Sequence, residues 1–437
     1  LAAPGAELFA KSGVGRGENF GCQQRGIRRS GLANRQRAHR DSLGHLHDRK
    51  QRIDAVQHGG RHGHAQDRNQ SLGRQHSGQM RRAAGPGDDH AKPPRLGLFG
   101  VFNDSLPDGW GRLLLDRTVE KYGIHRGQLN PLDRLAYVGR HGMGALSYEP
   151  ELGQQTIDDA PLALDKLAEE SAVVLAGENE EVFEELLRLN GSSSGTRPKI
   201  VAQVSTDKKR IIHGQQELQS GFAHWMIKFP SSQDARDVGA IEYAYSLMAK
   251  DAGVEMDETH LFRTKRNRYF GTKRFDRDGD ARIHMHSLGG LIHADHRSPS
   301  LDYDMVLRVT LAVTRNIQDA EKVYALACFN VLAHNRDDHV KNFSFLLNSR
   351  NEWVFVPAYD LVFSYGPGGE QSMLVMGEGR NPGAAQLQAL GKQHGIKNAP
   401  EILAKVERAV ANWPRYAELA ELSRKSTKEI ASKINLQ

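Results

Sequence analysis

From about residue 96 onward, apolar and polar positions fall into short, punctuated runs; residues 1 to 95 show no sustained helical or alternating pattern. Leu98 to Phe102 is a short apolar run, and Ser105-Leu106-Pro107-Asp108 reads as a helix start, with Pro in the first turn and an acid complementing the helix dipole. Trp110, Leu113, Leu114 and Arg117 then share one helix face. A helix is predicted from Pro131 to Val138, stopped by Gly139, and Gly142 to Leu146 reads as a close-packed turn into a strand. Residues 150 to 170 are polar and acidic and read as a bridge between subdomains, followed by a helix from Glu180 to Leu189. Strands are predicted at Lys199 to Val204, Trp225 to Phe229 and Tyr269 to Arg277, the last running into a turn at Asp278-Gly279-Asp280. Between them Ile241, Ala244, Tyr245 and Met248 mark one face of a helix that Gly253 ends.

From Leu301 the pattern turns helical, with helices at Tyr303 to Thr314 and Asp319 to Leu332. The second is apolar nearly all round from Tyr324 on, which predicts burial. A polar stretch, His334 to Asn342, follows. Phe343, Phe345 and Leu347 then begin a hairpin whose second run is Trp353 to Val356, and Tyr359-Asp360 comes just after. Gly366-Pro367-Gly368-Gly369 reads as a mobile segment, and two further helices are expected within Pro400 to Ala411 and Tyr416 to Ile434.

Length and charge narrow the picture. A chain of 437 residues is long enough for two or three domains with real cores. It contains no run of about 18 apolar residues, and no basic, apolar signal opens it, so no membrane partner is expected. The two cysteines, Cys22 and Cys328, are far apart and support neither a disulfide framework nor a thiolate metal site, which makes a reducing, cytoplasmic setting the default. The net charge of +6 suggests some affinity for polyanions such as nucleic acid. Residues 1 to 95 hold eight of the 20 histidines among abundant Arg, Gly and Gln. They read either as a basic disordered arm or, the reading preferred here, as a non-native translation such as a shifted frame.

The candidate chemistry sits in the polar stretch. Phosphoryl transfer needs hard oxygen ligands for Mg²⁺ and one carboxylate near the attacking hydroxyl. As in a kinase catalytic loop, Asp337 is the candidate base, with Asn342 and Asp360 the candidate metal ligands. The usual H-R-D and D-F-G letters are absent, and such a loop taken alone is as readily a solvated turn. A second element, Asn190 to Lys199, is rich in Gly and Ser, can present backbone N–H groups to phosphates, and carries Arg197 and Lys199. Lys228 closes an apolar strand, where an ammonium is costly unless it meets an anion. Glu242, on the helix after it, is either that lysine's partner or an ordinary exposed glutamate. His284-Met285-His286 reads as strand rather than metal site, and Asp104 and Asp108 as caps and turn formers.

Asp337-Asp338-His339-Val340-Lys341-Asn342 with Tyr359-Asp360 closely resembles the D-x-H-x-K-N and Y-D pattern of the HipA toxin family, serine/threonine kinases of bacterial HipBA toxin–antitoxin pairs. Phe102 to Gly109 with Arg112 resembles the family's N-terminal signature, and Trp225 to Pro230 its nucleotide-lysine strand. The resemblance implies an α+β, bilobal, protein-kinase-like fold with a β-rich N-terminal lobe and a mainly α-helical C-terminal lobe. Residues 1–95 would be atypical, 96–165 a remnant of the N-terminal subdomain, 166–290 the lobe with the phosphate loop, and 291–437 the helical lobe. It implies ATP and Mg²⁺ as cofactors, with Asp337 and Lys341 catalytic and Asn342 and Asp360 on the metal. Nucleotide contacts would come from Ser194, Gly195, Thr196, Arg197, Lys199, Lys228, His339 and Tyr359, and from the adenine-facing hinge at Lys273, Arg274 and Phe275. Ser192 would be the autophosphorylation site, with Ser193 and Ser194 as adjacent candidates. The implied partners are a HipB-like helix-turn-helix antitoxin, operator DNA through that complex, and a protein substrate, with aminoacyl-tRNA synthetases the first class to try. Two rivals stand beside this. One is a metal-dependent nuclease built on His334-Asn335 and His339; the other is a catalytically weak relative that mainly binds antitoxin and DNA.

Overall fold

The computed structural model describes residues 98–151, 160–177, 186, 187, 189, 195–214, 217–232, 234–295 and 301–434. After a single helical turn at Gly100–Asn103, three longer helices precede the sheet: α1, Gly109–Lys121; α2, Pro131–Val138; and α3, Leu164–Ala176. Asp108 caps α1 by accepting from Gly109 N at 2.9 Å, so the helix begins later than Ser105 and Pro107 lies ahead of it. Asn130 and Asp133 form a capping box on α2. Helix α3 lies where a polar bridge was expected: Leu164, Leu167 and Val174, spaced by three and seven, bury one face that the intervening acids obscured. No strand follows Gly142 to Leu146, which is irregular. Of the helix expected at Glu180 to Leu189, Leu186, Leu187 and Leu189 are helical and buried, and the remainder lies outside the described residues.

An antiparallel sheet follows, built from β1, Lys199–Ser205; β2, Ile211–His213; β3, Phe222–Lys228; then, after helix α4, Val238–Asp251, from β4, Thr259–Arg263, and β5, Arg268–Lys273. Its order is β2-β1-β3-β5-β4. Period-two alternation divides its faces. Trp225 and Ile227 of β3 enter a core shared with Ile200 and with Trp110, Leu114 and Val119 of α1. Met226 and Lys228 point the other way, to the cavity described below.

Strand β6, His284–Ser287, pairs with β7, Ser344–Leu347, which pairs in turn with β8, Trp353–Phe355, as the predicted hairpin requires. Between β6 and β7 run α5, Tyr303–Thr314, and α6, Ile317–Leu332. Asn316 caps α6 through Gln318 N at 3.0 Å, starting it ahead of the expected Asp319. From Val323 to Leu332 every residue of α6 is buried, at the centre of the larger core. Four helices complete the chain: α7, Ala384–Gln393; α8, Ala399–Ala411; α9, Trp413–Leu419; and α10, Arg424–Ala431. The single helix expected within Tyr416 to Ile434 is thus two. Glu421 turns left-handed (φ 56°), and Ser423 caps α10 while its N–H bonds Asp237 at 3.1 Å. Helix α7 has no counterpart among the sequence expectations. Among the described residues, no helix is long and apolar enough to cross a membrane.

Candidate active site

The β1–β3 register sets Lys199 directly opposite Lys228. Like charges facing each other across strands are unfavourable, and both residues are buried, at 4% and 9% exposure, so the pair requires anions. They are supplied from two other elements. Lys228 Nζ donates to Glu242 Oε1 from α4 and to Asp360 Oδ1 at 2.6 Å. Glu242 is only 2% exposed, which settles its two readings in favour of the lysine partner. Asp360 adopts a left-handed backbone (φ 59°), a conformation Asp tolerates better than most residues. Burial pushes its carboxyl up, but Lys228 and Lys199 outweigh that and hold it below the ordinary carboxylate range. Burial likewise lowers Lys199 to about 8.

Opposite this cluster lies the loop after α6. A short turn at Val340–Asn342 begins where Asn342 N bonds His339 O at 2.8 Å. Asn342 Nδ2 donates to Asp337 O at 2.7 Å, which turns the amide oxygen the other way. The hydroxyl of Tyr359 ties the loop to the hairpin, donating to Lys341 O at 2.5 Å and lying 2.7 Å from Ser344 Oγ. Asp337 and Asp338 diverge. Asp338 is fully buried, accepting from Tyr303 at 2.7 Å, Gln371 at 3.1 Å and Met373 N at 3.2 Å, whereas Asp337 projects into the cavity. Surrounding protein raises the Asp337 carboxyl above its ordinary 3.8; His339 opposes the shift and Asp360 adds to it.

These groups line one cavity of about 750 Å³. It brings together Gly195, Thr196, Arg197, Lys199, Lys228, Lys273, Arg274, Phe275, Asp337, His339, Lys341, Asn342, Tyr359 and Asp360, every candidate site residue within the described part of the chain. Ser192, Ser193 and Ser194 lie outside the described residues. At the hinge, alternation puts Thr272 on the cavity face and Lys273 on the side of its strand partner Trp225. The Arg274 guanidinium is doubly held by Asp276, at 2.9 and 2.7 Å. Phe275 packs its ring 5.4 Å from Tyr359, giving the cavity an aromatic wall. Arg197 is paired with Asp234 at 2.8 Å.

Sequence reasoning missed Asp108 as a site residue, although it lines the cavity and its carboxylate meets Lys341 Nζ at 2.7 Å. It also missed Met143, Met226, Thr272 and Met285 as lining residues. No spacing rule links residue 108 with residue 341. Asp104 acts as a clasp, accepting from Ser287 N and Ser287 Oγ, both at 2.7 Å, and lying 2.6 Å from His286 Nδ1.

Among the described residues, no cluster of three His, Cys, Asp or Glu side chains is arranged to hold a metal. Asp360, Asn342 and Asp337 nonetheless offer hard oxygens on one cavity. That set fits a magnesium ion, which is usually bound by one or two carboxylates with substrate phosphates and water. The nuclease reading does not fit. His334 is turned to Ser364 O at 3.1 Å and stacks on Phe363, and it is not among the cavity's lining residues.

A sheet-bearing lobe and a helical lobe, with a cavity lined by both charged and apolar side chains between them, define a protein of the kinase-like fold class. Residues 191–413 match the family model of the HipA-like C-terminal domain, and residues 65–149 that of the HipA N-terminal domain, so the chain belongs to the HipA-like family. The N-terminal match begins inside the stretch set apart by its composition. The chain is similar to "Putative kinase Y4dM" of Sinorhizobium fredii, at 26% identity over 60% of this chain, and spans 64% of that protein's length. It also resembles HipA in the Shewanella oneidensis complex of HipA, HipB and operator DNA, with a TM-score of 0.57 and 18% identity over 76% of this chain and 82% of that one. The second likeness shows a shared fold.

Proposed function

We propose that the protein is a Mg–ATP-dependent serine/threonine protein kinase and the toxin of a toxin–antitoxin pair. The observation that carries this reading is the convergence of a buried lysine bridging two carboxylates, a glycine-bearing loop and an Asp–Asn loop on one cavity. Lys228, kept charged by Asp360 and Glu242, and Lys199 with the loop at Gly195 to Arg197 would bind and orient the phosphates. The hinge at Lys273 to Phe275, Tyr359 and His339 would hold the rest of the nucleotide. Asp337, which projects into the cavity from the loop after α6, would accept the proton of the substrate hydroxyl. Asn342 and Asp360 would hold Mg²⁺, which when bound neutralises phosphate charge. Lys341 would stabilise the transferring phosphoryl group.

Asp337→Asn is expected to lower phosphotransfer by roughly 10³-fold or more at nearly unchanged stability, because catalysis here is positioning plus electrostatics. Labelled phosphate from ATP, incorporated into the protein itself and into candidate substrates, is the assay. Near-normal incorporation by the variant would remove Asp337 from its role. Autophosphorylation at Ser192 is part of the proposal: about two negative charges beside bound triphosphate would repel it. The likeness to a HipA bound with HipB and operator DNA supports an antitoxin and DNA as partners. Aminoacyl-tRNA synthetases are the first substrates to test.

A further inference from the structure

The start of α1 touches both halves of the cavity. Asp108 reaches the Asp–Asn loop through its 2.7 Å pair with Lys341, in which the two side chains are only 16% and 17% exposed. Two residues on, Trp110 N donates to Gly195 O at 2.9 Å. Between them Gly109 adopts φ +45°, and a Cβ there would stand 2.2 Å from Gly195 O. Only glycine permits so close an approach. A helix start whose sole task was to cap α1 needs an acceptor for Gly109 N and nothing more. It would not need a carboxylate on Lys341 or a backbone pressed against the phosphate-side loop.

We propose that Asp108 is a positioning residue for phosphoryl transfer. It aims the Lys341 ammonium at the cavity, while the helix start that carries it braces Gly195, so the segment ahead of the sheet is a working wall of the site. This rests on the kinase reading above. The pair links residues 233 positions apart, both of which line the cavity. It therefore fixes the distance between the phosphate-side loop and the proton-accepting loop.

The test is a double-mutant cycle on the full chain. Asp108→Asn keeps the capping oxygen and the size but removes the charge. It is expected to lower kcat by about 10- to 100-fold with the KM for ATP within about threefold, the pattern of an interaction made in the transition state. Asp108→Glu should recover a good part of the rate. In a Lys341→Met background Asp108→Asn should have no further effect, because the ammonium it positions is gone. Folding of each variant is checked by its thermal melt. Equal loss in both backgrounds, a change confined to KM, or a wild-type rate in Asp108→Asn would overturn the inference while leaving the kinase reading intact. An unmodified protein that transfers no phosphate overturns both.

Discussion

Glu242→Gln tests the electrostatic centre of the site without altering its shape. Lys228 and Glu242 have side chains 9% and 3% exposed, so their pair is almost free of solvent screening. Removing one partner of such a pair typically costs about 3–5 kcal/mol when the other charge is left bare. Here Lys228 keeps Asp360 at 2.6 Å, although that carboxylate is 35% exposed and its attraction correspondingly weakened. The variant also relieves repulsion between Glu242 and Asp360, which face the same ammonium. The expected net loss is therefore about 1–3 kcal/mol, below the range for a fully stranded charge. Urea unfolding followed by intrinsic fluorescence measures it as a lower midpoint at constant slope. Lys199 and Lys228 would then share one carboxylate, that of Asp360, so Mg–ATP should restore part of the loss. An unchanged midpoint, matching that of the exposed control Glu352→Gln, would refute the argument that burial makes this pair matter.

Two further outcomes follow from the same geometry. Burial raises the Asp338 carboxyl to about 7 from an ordinary 3.8, with Tyr303 opposing the shift. The folded state then holds that proton more tightly than the unfolded chain does. Stability should fall as pH rises from about 4 to about 7, by an amount on the order of 4 kcal/mol at most. Asp338→Asn, which cannot titrate, should flatten the profile across that window; an identical slope in the variant would reject the assignment. Tyr359→Phe keeps the ring against Phe275 but strips the hydroxyl from Lys341 O and Ser344 Oγ, and is expected to cost about 1–3 kcal/mol. Amide exchange over residues 337–342 should quicken, and unaltered exchange there would show that the loop does not depend on this tie.

Much of the site was legible because its parts are local. Asp337 and Asn342 lie within one short loop, so their proximity follows from chain geometry, and the strand ending at Lys228 announces itself as an ammonium among apolar neighbours. The helices at Tyr303 and Tyr324 were legible for the same reason, since a periodic apolar face needs no knowledge of what it packs against. Helix α3 escaped because its apolar face is narrow and acids fill the gaps. The break before α10 escaped because it depends on Asp237, a residue 186 positions earlier at the start of α4, bonding Ser423.

What the sequence determined by itself was the set of elements that could carry charge and oxygen ligands, and the family resemblance of their motifs. What only the tertiary structure decided was who pairs with whom. Glu242 reads equally well as surface or partner until α4 packs and buries it. Asp108 is an ordinary helix cap until Lys341 arrives from more than two hundred residues away. Asp338 looks like a twin of Asp337 until Tyr303 and Gln371 enclose it. Caps, turns and alternation depend on neighbours along the chain, whereas the partner and protonation of a charge depend on distance and burial in space, which no local pattern encodes.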